Sequence, residues 1–155
     1  MATFDKPDQV RSTPFGKNQY LRSTKNTQFQ PYTCAAAAVP TESRNDGNGV
    51  AHTGKLLQSG ELMAKITSGP SSGKVGPFQA GVTDGRQTAA NIVGVNDTFL
   101  PWQLDQRDVD IAVLYHGTVK AGWCYMRDAA GARVPVTGTE LAALIGKTGL
   151  DVTSK

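Results

Sequence analysis

Thr83-Asp84-Gly85-Arg86-Gln87-Thr88-Ala89-Ala90-Asn91-Ile92-Val93-Gly94-Val95 joins a tight-turn signal to a run of small and apolar residues. The Asp84-Gly85 pair admits positive φ at low cost, and the small residues behind it allow backbones to approach closely. The stretch therefore reads as a turn feeding a buried strand from Ala90 to Val95. A long polar segment precedes it and a well-patterned domain follows it, so the reading of the whole chain turns on this junction.

Toward the C-terminus the pattern is clear. Val109, Ile111, Val113 and Tyr115 alternate with Asp108, Asp110, Ala112 and Leu114, the period of a strand with one apolar face. His116-Gly117 is expected to break that run, and Trp123-Cys124-Tyr125-Met126 follows as a short apolar segment. Asp128-Ala129-Ala130-Gly131 reads as a loop. Thr137 with Glu140 three residues on forms a capping box, Val136 and Leu141 fit a hydrophobic staple, and Leu141, Leu144 and Ile145 make the buried stripe of a helix. Gly149 is the expected stop, after which Leu150-Asp151-Val152 returns as a last strand.

Between Val50 and the opening stretch, Leu62-Met63-Ala64-Lys65-Ile66 reads as a strand after a Ser59-Gly60 turn. Ser68 to Gly73 reads as a loop, and Lys74-Val75-Gly76-Pro77-Phe78 as a short returning strand whose proline favours an edge. The domain thus spans residues 49–155. Residues 1–48 show no sustained apolar period and are rich in Gln, Asn, Ser, Thr, Pro and Gly, so they read as an arm, mobile when free. Asn45-Asp46-Gly47-Asn48-Gly49 reads as the hinge between the two. Pro31 and Pro40 confine the Ala35–Ala38 run to fewer residues than an isolated helix needs.

Charge divides unevenly. Residues 1–33 hold five basic side chains (Lys6, Arg11, Lys17, Arg22, Lys25) against Asp5 and Asp8, whereas the rest of the chain balances, so the whole net charge of +3 lies in the arm. Large side chains recur among the arm's polar residues. Phe15, Tyr20, Leu21, Arg22, Phe29 and Tyr32 are the candidate anchors for a partner's surface, because a solvating linker has no use for them. A nucleic-acid contact is the competing use of a basic, aromatic arm, but five spread charges with two acids among them form a thin footprint.

Size and composition bound the rest. With 39% hydrophobic residues in 155, one ordinary domain and an appendage fit. No apolar run approaches the roughly 18 residues of a membrane helix, and Met1-Ala2-Thr3-Phe4-Asp5 does not begin a secretory leader, so the expectation is a protein with no membrane contact whose Asn96-Asp97-Thr98 sequon is without consequence. Cys34 and Cys124 have no metal-like spacing and read as two reduced thiols. Ser68-Gly69-Pro70-Ser71-Ser72-Gly73-Lys74 resembles a phosphate-binding loop only superficially: three residues separate its glycines, and Val75 stands where Ser or Thr would reach a magnesium ion. His52 and His116 lack an adjoining nucleophile, and Asp105, Asp108 and Asp110 lack the spacing of a calcium loop, so they read as solvated strand-end carboxylates. The expectation is no enzyme, no metal and no cofactor.

With these pieces in order, the chain from about Val50 to Lys155 resembles the head decoration, or capsid cement, proteins of tailed bacteriophages, the family typified by the lambda head decoration protein. The resemblance rests on Ser59-Gly60-Glu61-Leu62-Met63-Ala64-Lys65, the Thr83 to Val95 stretch, and Asp110-Ile111-Ala112-Val113-Leu114. It continues through His116-Gly117-Thr118-Val119-Lys120 and Leu141-Ala142-Ala143-Leu144-Ile145-Gly146 with Leu150 to Val152 behind. It implies a mainly β domain with a short C-terminal helix, a homotrimer on the outer surface of the expanded phage head, and the major capsid protein as partner. It further implies an N-terminal segment that orders on the capsid, stabilisation of the shell against packaged DNA, and no direct nucleic-acid contact. A nucleic-acid-binding accessory protein using the basic arm is the alternative. The length of the arm and its aromatics depart from the short members of the family.

Overall fold

The computed structural model describes residues 19–45, 50–120 and 122–154. Its strands are β1 (Leu21–Cys34), β2 (Thr41–Asn45), β3 (Ala51–Lys55), β4 (Leu62–Lys65), β5 (Val75–Pro77), β6 (Ile92–Asn96), β7 (Val109–Val119), β8 (Tyr125–Arg127), β9 (Arg133–Pro135) and β10 (Asp151–Ser154), with one helix, α1 (Gly138–Ile145). The fold is mainly β with a short helix near the C-terminal end, as the patterning implies.

Five strands run in the order β1-β5-β4-β6-β7, and β7 pairs back onto β1, so the sheet closes on itself. Closure rests on a narrow seam. Cys34 stands opposite Val75 in parallel register, and the Ala35 amide donates to the Val75 carbonyl at 2.9 Å. β10 is added outside the ring, parallel to the second half of β7.

Period-two alternation sorts the apolar side chains into two cores. Cys34, Met63, Val75, Val93, Ile111 and Val113 come from all five ring strands and pack together with Val39, Leu57, Leu100 and Leu104. On the opposite face, Leu62, Ala64, Ile92, Val95 and Leu114 pack beneath Leu141 and Ile145 of α1, joined by Tyr20, Cys124 and Val152. β6 serves both cores because it carries an extra residue. Met63 pairs with Gly94 but Ala64 pairs with Ile92, so Val93 is a bulge and the strand switches face across it. Gly94, at φ +145°, lies so near β7 that a Cβ there would strike the Leu114 carbonyl oxygen and sit 2.8 Å from Val113 Cγ1. The small residue at this point of the opening stretch is there for close approach.

The helix forms as its cap dictates. Thr137 Oγ1 accepts from the Glu140 amide at 3.2 Å, and Glu140 Oε2 accepts from the Thr137 amide at 2.9 Å. Leu141 and Ile145 are buried, with Leu144 partly so. Gly146 caps the end, and Gly149, at φ +74°, belongs to the turn into β10.

Three expectations need correction. The arm does not extend to residue 48: Tyr20 is 1% exposed, Cys34, Ala35, Ala38 and Val39 are buried, and β1 is a ring strand, so the polar composition of this segment hides a structural role. Of the expected hinge only Asn45 and its flank are described, and there the chain is paired: β2 and β3 run from Thr41 opposite Lys55 to Asn45 opposite Ala51, while residues 46–49 lie outside the described residues. His116-Gly117 does not end β7. The strand continues to Val119 because β1 lies along one edge and β10 along the other, so neighbours compensate a weak local preference.

Candidate functional site

Among the expected anchors, Phe15 lies outside the described residues. Tyr20 is not available to a partner: its ring is in the core, and its hydroxyl donates to Asp97 Oδ1 at 2.9 Å. Burial, reinforced by the Asp97 carboxylate, pushes its phenol well above the ordinary range. Leu21 is half-buried against the outer core, and Tyr32 packs on the inner one. Arg22 and Phe29 remain outward, Phe29 being 40% exposed. The structure therefore brings only part of the set together, on the exposed strand β1 from Leu21 to Pro31.

β1 reaches that position by hydrogen bonding along one edge alone. It pairs with β7 over Leu21–Cys34, whereas toward β5 only Cys34 is matched. Where the two strands part, Pro31, Tyr32, Thr33, Gly73 and Asp110 line an open cleft of about 330 Å³. Thr33 Oγ1 donates to Asp110 Oδ1 at 2.6 Å across its floor. A second exposed aromatic, Trp102 at 59%, precedes the 3-10 turn Gln103–Asp105.

The carboxylates expected to be merely solvated hold loops together instead. Asp108 accepts from the Ala36 amide at 2.8 Å and pairs with Lys74, and these contacts, led by the lysine, hold its carboxyl below the usual range. Asp105 accepts from the Lys55 amide at 2.8 Å. Lys74 is thus committed, and amides of the Ser68–Lys74 loop turn inward, Ser72 to the Gly69 carbonyl and Gly73 to Ile66, so the loop is no anion cradle. Both thiols are buried, and burial raises each to about 12, which keeps them protonated and unreactive at neutral pH. Among the described residues no three His, Cys, Asp or Glu side chains gather as metal ligands, and no described helix is long and apolar enough to cross a membrane.

Three arginines escaped the reading of the sequence, Arg127 and Arg86 buried and Arg133 partly so. Arg127, with its side chain fully buried, donates from Nε to Glu61 Oε1 at 2.7 Å and from its other nitrogens to the Gly131 and Leu56 carbonyls at 3.0 Å. Arg133 donates to Glu42 Oε1 at 3.0 Å, and its Nε lies 3.4 Å from Glu61 Oε1. The four charges tie β2, the start of β4, β8 and β9 together. Within the opening stretch, Arg86 folds back onto Asp84 and reaches the Ala38 and Pro77 carbonyls. Glu61 and Arg127 are 66 residues apart, so no local pattern could have paired them.

Compared with known proteins, the chain matches no family model, no curated protein and no solved structure.

Proposed function

We propose that this protein is a structural decoration protein of a tailed-phage head, binding the outer surface of the expanded shell as a homotrimer and stabilising it against internal DNA pressure. The observation that carries the reading is spatial. The separated segments on which the family resemblance rests fall on β4, β6, β7 and β10, which are consecutive neighbours in one sheet, and on α1, which packs over them. Pieces scattered along the sequence thus form one contiguous unit.

The chemistry agrees with a binding role. The described surface offers exposed anchors in Arg22 and Phe29 on β1, and the buried polar groups are spent on holding the fold. Stabilisation by such a protein needs no active site: a modest interface free energy per copy, repeated over many equivalent positions, becomes large for the shell. The partner is the major capsid protein, and the site of action is the outer face of the virion.

Co-sedimentation with purified expanded shells tests the reading, with unexpanded shells and duplex DNA as competitors. Retention on expanded shells, lost in Phe29→Ala, is expected. Binding to DNA with a steep salt dependence and none to shells would instead support the nucleic-acid accessory protein.

A further inference from the structure

Among the described residues, an unmatched charge stands beside each end of β1. At its start, Leu21 pairs with Val119 and Ser23 with Thr118, so β1 advances two residues while β7 advances one, and Arg22 is the surplus residue of a bulge. Bulges re-aim side chains, and Arg22 is exposed with no carboxylate partner among the described residues. At the other end lies the open cleft of about 330 Å³ lined by Pro31, Tyr32, Thr33, Gly73 and Asp110. The Thr33 hydroxyl fixes the Asp110 carboxylate through Oδ1 at 2.6 Å and leaves Oδ2 without a partner among the described residues. Lys74, next to Gly73 in the chain, does not neutralise it, because Lys74 is held by Asp108.

The cleft suits a guanidinium. The Ala35 amide donates toward β5, so by strand alternation the backbone groups of Thr33 and Pro31 face the same edge, which is open there because only Cys34 is matched to β5. Pro31 has no amide proton and presents a carbonyl alone. A carboxylate and an edge carbonyl are acceptors, and the arginine side chain is a planar fork of donors with no acceptor of its own and a charge that does not titrate. Arg22 cannot fill the cleft of its own chain. Val119 and Asp110, which mark the two ends on β7, are separated by roughly 30 Å of strand, several times the reach of an arginine side chain.

We infer that the Asp110 cleft of one copy receives Arg22 of a second copy. Charge complementarity selects this occupant: the cation and the anion stand at opposite ends of one strand, so they are satisfied only when copies meet head to tail. Each copy then gives Arg22 on one side and takes it on the other, a heterologous contact that closes into a ring when the rotation allows. That the ring is a trimer rests on the proposed function.

Light scattering after size exclusion, over a dilution series of the full chain at low salt, tests the contact. The parent should assemble, and Arg22→Glu and Asp110→Arg should each raise the concentration of half-assembly about tenfold, because like charges then face each other. Combining the two reversals restores opposite charges and should return that concentration to within about threefold of the parent. Arg22 is exposed at its bulge, so Arg22→Glu should melt as the parent does. A parent monomeric at every concentration, single variants that assemble as it does, or a double variant no better than the singles would each overturn the inference. Dimers in place of trimers, with the same response to charge reversal, would uphold the contact and sink the homotrimer. Assembly with that response but no binding to expanded shells would sink the decoration reading alone.

Discussion

Gly94 shows how much one residue can carry. It sits beside the Val93 bulge with its Cα against the β7 backbone, so any side chain meets both a positive-φ penalty and the Leu114 carbonyl. Gly94→Ala should cost about 2 to 4 kcal/mol, combining strain and overpacking, read as a fall in urea midpoint at unchanged slope. Ala89, half-exposed at the start of a 3-10 turn, is a control position in the same stretch. Titration behaviour is also decided residue by residue. Cys34 and Cys124 are raised from 9.0 to about 12, and the Tyr20 phenol is raised as well, each chiefly by burial. A raised acid keeps its proton in the folded state after the unfolded chain has lost it, so the contribution to stability is complete below the unfolded value and is lost as pH climbs toward the folded one. The urea midpoint should hold up to about pH 9 and decline steadily above it, and Cys34→Ala should flatten that decline. A midpoint indifferent to alkali would show that the thiols are open to solvent.

Elements depend on a few placed contacts. The short helix α1 has eight residues, too few to persist without its cap and its packed face. Thr137→Ala removes the acceptor for the Glu140 amide and should lower stability by about 1 kcal/mol in thermal melts, while Thr137→Ser should be close to neutral. The hairpin β2–β3 is a separate two-stranded sheet, a form that is marginal alone. Its root is held by Glu42 through Arg133, and behind them by the buried Arg127–Glu61 pair. Arg127→Leu strands the Glu61 carboxylate and should cost about 3 to 5 kcal/mol, whereas adding Glu61→Leu should recover part of that loss. Hydrogen exchange should show hairpin amides opening first in the single variant; equal loss in single and double variants would mean the pair is not coupled.

For the molecule as a whole, the closure of the ring redraws what can be removed. An arm ending at residue 48 implies that deletion through Asn45 leaves a folded domain. With β1 pairing along the length of β7 and Cys34 and Val39 in the inner core, that deletion should abolish cooperative unfolding, whereas deletion of residues 1–18 should leave the melting transition in place. Circular dichroism melts of both truncations check this, and a folded product lacking residues 1–45 would show that β1 is an accessory to the ring.

Much of this was legible in the chain. The alternation of Val109 to Tyr115, the Thr137–Glu140 box and the Thr83 to Val95 turn-and-strand each depend on residues a few positions apart, where side-chain period and capping chemistry act directly. So the mainly β character, the helix and its start were determined by sequence alone. The role of residues 19–39 was not, because β1 is polar on the faces it shows to solvent and gains its place from backbone hydrogen bonds to a strand far along the chain, from Cys34 opposite Val109 to Leu21 opposite Val119. Nor were the Arg127–Glu61 pair and the pairing of Glu42 with Arg133. Those depend on which strands lie side by side, and adjacency is settled only when burial of the two cores and satisfaction of every buried charge are met together.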